Sequence, residues 1–294
     1  MELKTYSPSQ LRVYKNCPTQ WNYIYNLDIN KPTSKHVFDV GKYFHELLHV
    51  IYQTLKSNPK ISTEVLSAMI SERVRRDLVK ENIEIIAQVL PRILEYISYQ
   101  HPLIDKNIQV LDVEFEFKVL VTTPLGHEVL LHGIIDLIYR DSAGVIRIRD
   151  HKSGGRNSHS PRSVTLDDQL LFYAVGLSSL RSSLVLDVEI SFLNSTNYKT
   201  KKPQSEMFGL YRYQHTPVGI ELAKQNILQL IDKMIESELH KNYSPNCAGC
   251  VFFDICSLEL RGQSTQGLIA NNYQVGAREH RNKSNSPIEI TIAE

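Results

Sequence analysis

The chain has few cysteines, no surplus of charge of either sign and no long hydrophobic run. Its 33 Lys and Arg balance 32 Asp and Glu, so any affinity for nucleic acid has to come from a local basic patch. No apolar run approaches the roughly 18 residues that cross a membrane, so we expect no membrane partner. The N-terminal residues lack the apolar core of a signal peptide, so we expect a cytoplasmic protein.

The composition that remains is that of an ordinary globular protein. With 42% hydrophobic and 22% charged residues, the chain is not globally disordered. Its 294 residues suffice for one or two domains with a sizeable core. The phosphate-binding motif G-x4-G-K-[ST] does not occur, so a nucleotide-driven motor would have to be another chain.

The four cysteines are unevenly distributed. Cys247, Cys250 and Cys256 form a C-x2-C-x5-C cluster, whereas Cys17 lies far upstream. In a reducing compartment this pattern indicates a zinc or iron–sulfur site rather than disulfides, and thiolates suit both groups. The alternative is that Cys17 is a packed helical residue and the other three are incidental. If Cys17 joins the cluster, ligands from distant parts of the chain meet, and metal binding contributes free energy to folding.

Helical periodicity dominates the first third of the chain. Ser7 followed by Pro8 is the pattern of a helix N-cap and a first helical residue. The predicted helical stretches are 8–26, which contains Cys17, 38–55, and 62–99, which Pro91 is expected to break or kink.

The hydrophobic period changes in the middle of the chain. The predicted strands, joined as an antiparallel meander, are 108–121, 129–139 and 145–151. The elements expected to follow are a helix over 166–177, a strand over 184–193, and a helix from Thr216–Pro217 to 239. This combination predicts a mixed α/β fold. After Arg261 the sequence is polar and aperiodic, so we expect a flexible tail over 262–294.

Two acidic residues lie at the facing ends of the second and third predicted strands. A hairpin turn over Asp141–Gly144 would bring Asp136 and Asp150 together, where two carboxylates repel unless a cation neutralises them. Hard oxygen ligands favour Mg²⁺ or Mn²⁺. Lys152 would share the strand face of Asp150, where its ammonium could orient a water or stabilise developing phosphate charge. The alternative is a pair of exposed strand acids with a surface lysine.

Five features of the sequence resemble motifs of the PD-(D/E)XK nuclease superfamily and, within it, of the RecB-like nucleases. Spread over residues 6–260, they are Asp136, Asp150-His151-Lys152, Gly41-x3-His45-x2-Leu48, Gln169-x3-Tyr173, and Cys17 with the C-terminal cysteine cluster. The cysteine pattern is similar to that of the iron–sulfur members. These include the CRISPR-associated RecB-like exonucleases and the AddB-type nuclease domains.

The resemblance implies a fold and a domain organisation. The expected fold is an α/β restriction-endonuclease-like core, in which helices flank a mixed central sheet. An N-terminal helical region and a cysteine-clasped iron–sulfur subdomain would complete it. The expected bounds are one RecB-like nuclease domain over 1–261, a helical insertion at about 58–104, a catalytic core at about 105–215, and a clasp from Cys17 and 247–256.

The resemblance also implies ligands for a catalytic metal ion. Asp136, Asp150, His45 and the backbone carbonyl of His151 would bind Mg²⁺ or Mn²⁺. The alternative for His45 is a histidine packed in a helix. Lys152 would activate the attacking water or stabilise the pentavalent phosphate.

Supporting residues and a second cofactor follow from the same resemblance. Gln169 and Tyr173, one helical turn apart, would support the site or contact the DNA backbone. The residues implied as ligands of a 4Fe–4S cluster, with zinc as the alternative, are Cys17, Cys247, Cys250 and Cys256.

Two positions depart from the family pattern. Asp150 stands where Glu is commoner, and because both residues occur in the pattern we expect activity to survive. His49 lies one turn after His45 on the same helix face and stands where the family often has Glu, so it is given no role.

The implied activity is metal-dependent hydrolysis of DNA, as an exonuclease on single strands or DNA ends, in recombination, repair or CRISPR adaptation. A helicase or CRISPR integration proteins would be its partners. The alternative is a catalytically silent subunit that binds DNA ends or assembles such a complex, although retention of the Asp, Asp and Lys set argues against it. Basic stretches that could contact DNA are Arg73–Arg76, Arg147, Arg149, 152–156 and 199–202. The alternative for each is a solvated surface segment.

Overall fold

The computed structural model describes residues 3–31, 36–77, 83–103, 105–154, 161–181, 184–194, 208–236 and 239–276. The fold is mixed α/β, as predicted, with a central mixed sheet flanked by helices. The chain divides into two compact units, the first made of Met1–Ser34, Lys118–His132 and Lys224–Glu294, and the second of Lys35–Phe117 and Gly133–Ala223.

The regular elements of the described residues are numbered in chain order. The helices are α1 (Pro8–Asn16), α2 (Pro18–Trp21), α3 (His36–Ser57), α4 (Thr63–Asp77), α5 (Ile83–Leu103), α6 (Pro161–Thr165), α7 (Asp168–Leu180), α8 (Pro217–Glu236), α9 (Phe253–Leu260) and α10 (Gln266–Asn272). The strands are β1 (Thr5–Tyr6), β2 (Ile29–Asn30), β3 (Gln109–Thr122), β4 (Glu128–Arg140), β5 (Ile146–Gly154), β6 (Asp187–Asn194), β7 (Phe208–Gln214) and β8 (Gln274–Val275). None of these helices is both long enough and apolar enough to cross a lipid bilayer.

The sheet of the second unit mixes parallel and antiparallel neighbours. β4 and β5 form the predicted antiparallel hairpin, in which Leu137 pairs with Arg149. β5 pairs in parallel with β6, where Asp150 lies opposite Ile190, and β6 pairs antiparallel with β7. β5 therefore has a hydrogen-bonded neighbour on each side, which fixes the backbone that carries Asp150.

Three long helices of the second unit share one hydrophobic core. Leu47 on α3, Ile70 on α4 and Ile93 on α5 are almost completely buried in it. The break expected at Pro91 is wrong, because α5 runs from Ile83 to Leu103 without interruption. Buried side chains on both sides of the proline show that tertiary packing offsets the missing hydrogen bond.

In the first unit Cys17 lies at a helix boundary and not inside a helix as predicted. α1 ends at Asn16, α2 begins at Pro18, and Cys17 between them is extended, with φ −162° and ψ 111°. Pro18 is the cause, because its ring disfavours a helical conformation in the preceding residue and it has no N–H to donate. The predicted start of α1 is confirmed, since Ser7 Oγ accepts a hydrogen bond from the Gln10 N–H at 3.4 Å.

The segment after Arg261 is more regular than the expected tail. α10 is followed by β8, which pairs antiparallel with β2. Tyr273 between them is buried, and its ring stacks on Phe252 with centroids 5.8 Å apart. One buried aromatic thus anchors a polar stretch that has no hydrophobic period. Residues 277–294 lie outside the described residues.

Candidate active site

The β4–β5 hairpin places Asp136 and Asp150 on adjacent strands. Asp141 closes the turn, because its Oδ1 accepts two backbone N–H groups at 2.9 and 3.0 Å. Gly144 has a φ of +82°, which glycine adopts without strain. Continuing the hairpin register by one residue sets Asp136 opposite Asp150. The turn therefore produces the juxtaposition that the sequence predicted.

Asp136 is held by the backbone of the neighbouring strand. Its Oδ2 accepts a hydrogen bond from the His151 N–H at 2.7 Å and lies 3.8 Å from His45 Nδ1. Burial raises the pKa of the Asp136 carboxyl and the charge of Asp150 raises it further, while the His151 N–H opposes both. Burial lowers the pKa of His45, which favours a neutral imidazole. A carboxylate beside a neutral imidazole is a donor pair suited to a divalent cation.

Lys152 links Asp150 to α7. Its Nζ lies 2.7 Å from Asp150 Oδ2 and donates a hydrogen bond to Gln169 Oε1 at 2.8 Å. Gln169 Nε2 in turn donates to the Tyr173 hydroxyl at 2.7 Å. Burial raises the pKa of the Asp150 carboxyl, and the Lys152 ammonium opposes this effect. The structure thus brings Asp150, Lys152, Gln169 and Tyr173 into one continuous polar chain.

Asp167 orients the helix that supplies Gln169. Its Oδ1 accepts backbone hydrogen bonds from Gln169 at 3.0 Å and Leu170 at 2.9 Å, which makes it the N-cap of α7. Its charge also contributes to the raised pKa of Asp150. Sequence reasoning missed Asp167, although an aspartate just before an apolar helical run is a recognisable cap signal.

A small pocket beside Asp136 contains two residues to which the sequence assigned no role. His45, His49, Glu114, Asp136 and His151 line it, and its volume of about 10 Å³ is room for about one water-sized group. Glu114 has a φ of +49°, which residues other than glycine rarely adopt, and its carboxylate lies 3.4 Å from His49 Nδ1. The sequence signal for Glu114 was an acid inside an apolar strand, a pattern that also describes an ordinary exposed strand face.

Comparison with known proteins decides the family. The sequence model of the PD-(D/E)XK nuclease superfamily matches residues 5–257. The chain belongs to the PD-(D/E)XK nuclease superfamily. The resemblance drawn from the sequence motifs is therefore confirmed, and nucleases of this superfamily use divalent metal ions.

Curated relatives of this PD-(D/E)XK chain include two proteins that are named as subunits of an ATP-dependent helicase/deoxyribonuclease. They come from Streptococcus pyogenes serotype M49 (strain NZ131) and serotype M4 (strain MGAS10750). Each is 30% identical over 177 residues, which cover 54% of this chain and 16% of the relative. The match thus spans less than a fifth of these relatives. The crystal structure of SSO0001 matches with a TM-score of 0.42 and 15% identity, covering 87% of each chain.

The donor set of this superfamily member suits a divalent cation. Asp136 and Asp150 supply carboxylate oxygens and His45 supplies a nitrogen. Burial raises the pKa of both carboxyls, the charge of Asp150 adds to this effect at Asp136, and a cation would favour the charged form of each. In the part of the chain that the structure describes, no three His, Cys, Asp or Glu side chains are grouped as a metal site. Each acid has a partner within the chain, since Lys152 neutralises Asp150 and the His151 N–H binds Asp136.

The backbone N–H of His151 binds Asp136, whereas its imidazole ring packs in the interior of the protein. The ring is buried and stacks on Tyr52, with centroids 5.2 Å apart and planes at 25°. Burial and the charge of Arg149 lower the pKa of this imidazole, so it packs as a neutral aromatic ring. Metal binding by the His151 carbonyl stays a prediction.

Two arginines proposed as DNA contacts are occupied by acidic partners. Arg149 is completely buried and pairs with Asp105 at 2.9 Å and with Glu189. Arg147 makes two carboxylate contacts at 2.7 and 2.8 Å. The expectation for Arg149 is therefore wrong, because a fully buried side chain does not reach a DNA strand. The parts of the predicted basic stretches at 155–156 and 199–202 lie outside the described residues.

In the first unit all four cysteines line one cavity of about 290 Å³. Each is half-buried and free of a disulfide. The charges of Cys250 and Cys17 contribute to the raised pKa of the Cys256 thiol, so these three thiols lie near one another. Four cysteine donors suit either a zinc ion or an iron–sulfur cluster.

The cavity wall near Cys256 is polar. The Tyr23 hydroxyl donates to the Glu259 carboxylate at 2.9 Å, and Lys241 forms an ion pair with the same carboxylate. Burial raises the pKa of the Cys256 thiol, and the positive charge of Lys241 opposes this effect. At the other end of the cysteine pattern, Cys247 Sγ accepts the Ser244 N–H at 3.5 Å.

Proposed function

We propose that this chain is a metal-dependent DNA nuclease that hydrolyses phosphodiester bonds with Asp136, Asp150 and Lys152. The observation that carries the proposal is the position of the Lys152 ammonium, which lies between Asp150 and Gln169 with Asp136 on the adjacent strand. A lysine with only a surface role would extend into solvent. The Lys152 side chain is instead 24% exposed, and its ammonium is held between Asp150 and Gln169.

The chain's own residues have distinct tasks in this proposal. Lys152 orients the attacking water and stabilises negative charge on the phosphate, while Gln169 keeps its ammonium in place. Tyr173 holds Gln169 in place, because its hydroxyl accepts a hydrogen bond from the Gln169 amide.

A divalent cation completes the proposed site. Asp136, Asp150, His45 and the His151 carbonyl would hold it, and when bound it supplies Lewis acidity toward the phosphate and lowers the pKa of a water. The preference for Mg²⁺ or Mn²⁺ follows from the mainly oxygen donor set.

We further propose an exonuclease that acts on single-stranded DNA or DNA ends, with a helicase as its partner. The likeness to subunits of ATP-dependent helicase/deoxyribonucleases supports DNA as the substrate and a helicase as the partner. The nuclease domain would extend over 1–261. Recombination, repair and CRISPR adaptation in the cytoplasm are the settings in which such an activity is used.

The test is cleavage of end-labelled DNA by the full-length protein, purified without oxygen. Single-stranded and double-stranded substrates are incubated with Mn²⁺, Mg²⁺ or EDTA, and product lengths are followed over time. We expect shortening from an end with either metal and none with EDTA. A circular single strand, which has no end, separates an exonuclease from an endonuclease.

The matched variants are Asp150→Asn and Asp112→Asn. Both remove one carboxylate charge from a strand, but Asp112 pairs with Lys56 at the surface, at 3.1 Å. We expect cleavage to disappear in the first variant and to persist in the second. If the folded, metal-supplied wild-type protein binds labelled ends without cutting any substrate, the silent end-binding role replaces the nuclease as the better interpretation.

We also propose that Cys17, Cys247, Cys250 and Cys256 bind a 4Fe–4S cluster, with zinc as the alternative. The support is the shared cavity of about 290 Å³ and its four cysteine donors. Bound iron and sulfide would fill a space that otherwise separates distant parts of the chain, and their binding energy would stabilise the first unit.

Metal analysis tests the cluster without any assay of cleavage. Protein purified without oxygen is measured for iron, zinc and acid-labile sulfide, and for visible absorbance. We expect four irons for each chain and loss of iron in Cys17→Ser. Ser257→Ala is the control, because Ser257 lines the same cavity without a thiol. Stoichiometric zinc without sulfide would establish the zinc alternative.

A further inference from the structure

A buried polar network lies behind the candidate active site in the second unit. It joins Tyr52 on α3 to Arg149 on β5 and to Asp105 in the short turn before β3. All three side chains are almost completely excluded from solvent. None of them was singled out from the sequence except Arg149, which was expected to contact DNA.

The Tyr52 hydroxyl uses all of its hydrogen-bonding capacity. It donates its one proton to Asp105 Oδ2 at 2.9 Å and accepts a bond from Arg149 Nη1 at 2.7 Å. The hydroxyl of Tyr96 lies 2.8 Å away and must be the donor of that contact, because Tyr52 has no second proton. A saturated hydroxyl in a buried site has one favourable orientation, so it fixes its partners closely relative to α3.

The charges of this network are balanced by residues of the sheet. Arg149 pairs with Asp105 and Glu189, and Arg212 pairs with Glu189 from the next strand. Two arginines therefore meet two acids. Burying such charges gives little net stability compared with apolar residues of similar size, so the benefit of the network lies in its geometry.

Tyr52 contacts both residues that flank Asp150. Its hydroxyl binds Arg149, and its ring stacks on the imidazole of His151 at 5.2 Å. Side chains alternate along a strand, so Arg149 and His151 share one face of β5 and Asp150 and Lys152 share the other. Tyr52 thus contacts the residue before and the residue after Asp150 on β5.

The same helix carries the histidine of the active site. Tyr52 follows His45 by two helical turns and lies on the same face of α3. Both residues border the pocket that also contains Glu114 and Asp136. The contacts of Tyr52 with β5 therefore set the distance between His45 and the carboxylates.

We propose that Tyr52 is a positioning residue, which holds α3 against β5 and thereby places His45 for metal binding beside Asp136 and Asp150. This inference rests on the proposed nuclease function. Tyr52 itself does not touch the substrate or the metal ion. Its effect is exerted through Arg149 and His151.

The decisive variant is Tyr52→Phe, which removes the hydroxyl and keeps the ring on His151. Loss of a residue that orients metal ligands lowers metal affinity by about 10- to 100-fold. We expect the Mn²⁺ concentration for half-maximal cleavage to rise by about 10-fold or more, with the KM for DNA unchanged and partial rescue at high Mn²⁺. Mn²⁺ affinity measured directly by calorimetry should fall by the same factor.

Tyr139→Phe is the matched control. Tyr139 is equally buried and its hydroxyl donates to Glu189 of the same network at 3.0 and 3.1 Å, but it lies on β4 and not on α3. We expect its Mn²⁺ affinity to equal that of the wild type. Equal losses of Mn²⁺ affinity in the two variants, or none in Tyr52→Phe, would overturn the positioning role.

Two further arrangements keep the test decisive. If Tyr52→Phe does not fold, Tyr96→Phe removes one bond to the same hydroxyl without touching Arg149 or Asp105, and a smaller loss of Mn²⁺ affinity is expected. An unchanged affinity in that variant counts against the proposal. If the wild type binds Mn²⁺ but cuts no DNA, the proposed function fails. The Mn²⁺ affinity of Tyr52→Phe relative to that of the wild type, measured by calorimetry, then supports or overturns the role of Tyr52.

Discussion

The carboxylate site of the second unit and the cysteine cavity of the first hold their ligands in different ways. Asp136 and Asp150 each have a partner within the chain, the His151 N–H and the Lys152 ammonium. The four cysteines instead surround a cavity of about 290 Å³. A site whose charges are already paired keeps its shape without a metal ion, whereas a hollow site depends on the group that fills it. Loss of the bound group should therefore impair catalysis in one unit and folding in the other.

The largest expected effect is the loss of the proposed cluster in Cys17→Ser. Structural metal sites contribute on the order of 10 kcal/mol to folding, so removal of one of four ligands should leave the first unit sensitive to protease. Limited proteolysis with identification of the cleavage sites measures this. Ser257→Ala should remain resistant. Cleavage sites distributed equally over both units would contradict the expectation that loss of the cluster destabilises only the first unit.

The next effect is catalytic and concerns Lys152→Met. Removal of one charged group that stabilises the phosphate should slow cleavage by about 100- to 1000-fold, or about 3–4 kcal/mol in activation free energy. Single-turnover cleavage rates with saturating Mn²⁺ measure it, beside a thermal melt that should change little. Lys56→Met is the control, because Lys56 forms a surface ion pair on another element. A variant that cuts normally would show that Lys152 only neutralises Asp150.

A smaller effect of opposite sign is expected for Asp136→Asn in metal-free protein. A carboxyl whose pKa is raised by folding stabilises the folded state at low pH, and this stabilisation is lost as the pH rises through the folded pKa. Above that pKa the charged Asp136 therefore costs stability. We expect the melting temperature in EDTA to rise by about 2–4 °C, or about 1 kcal/mol.

The pH dependence of this gain distinguishes the cost of the buried Asp136 charge from causes that do not involve charge. The stabilisation by Asp136→Asn should be present at pH 8 and should disappear at about pH 4, where both carboxyls of the wild type take up protons. Mn²⁺ should stabilise the wild type more than the variant. A gain that is the same at both pH values would mean that the buried charge of Asp136 is not its source.

The smallest effect is expected for Tyr273→Phe in the first unit. The Tyr273 hydroxyl donates to the Val251 carbonyl at 2.7 Å, next to the cysteine cluster in sequence. Loss of this bond should cost about 1 kcal/mol, and iron should leave faster when a chelator is added. The rate of iron release measures it. An unchanged rate would show that α10 and β8 do not stabilise the cysteine cavity.

The parts of the site that local sequence patterns predicted, apart from the ligands implied by the family resemblance, are close together along the chain. Asp136 and Asp150 are joined by one hairpin, whose turn residues Asp141 and Gly144 set the register. Gln169 and Tyr173 are one helical turn apart, so the helical period alone places both side chains together. Short sequence separation leaves few alternative arrangements.

The features of the fold and site that the sequence did not predict depend on contacts between residues far apart in the chain or on unusual backbone conformations. β7 becomes exposed toward its end and shows no clear alternation, so its pairing with β6 decides that it is a strand. Glu114 reaches the pocket through an unusual backbone conformation that its residue type does not favour. The Tyr52 hydroxyl accepts a hydrogen bond from Arg149, 97 residues away in the chain, and no local sequence pattern predicts this contact.

The sequence by itself determined the mixed α/β class and the pairing of the two acids and the lysine of the candidate site, and its motifs resemble those of the nuclease superfamily. It could do so because turn chemistry and side-chain periodicity act over a few residues. Only the tertiary structure decided that Arg149 is buried behind the site, that Cys17 stands between two helices on a cavity wall, and that Tyr52 contacts β5. These features follow from which buried polar groups find partners, and that depends on the packing of segments far apart in the chain.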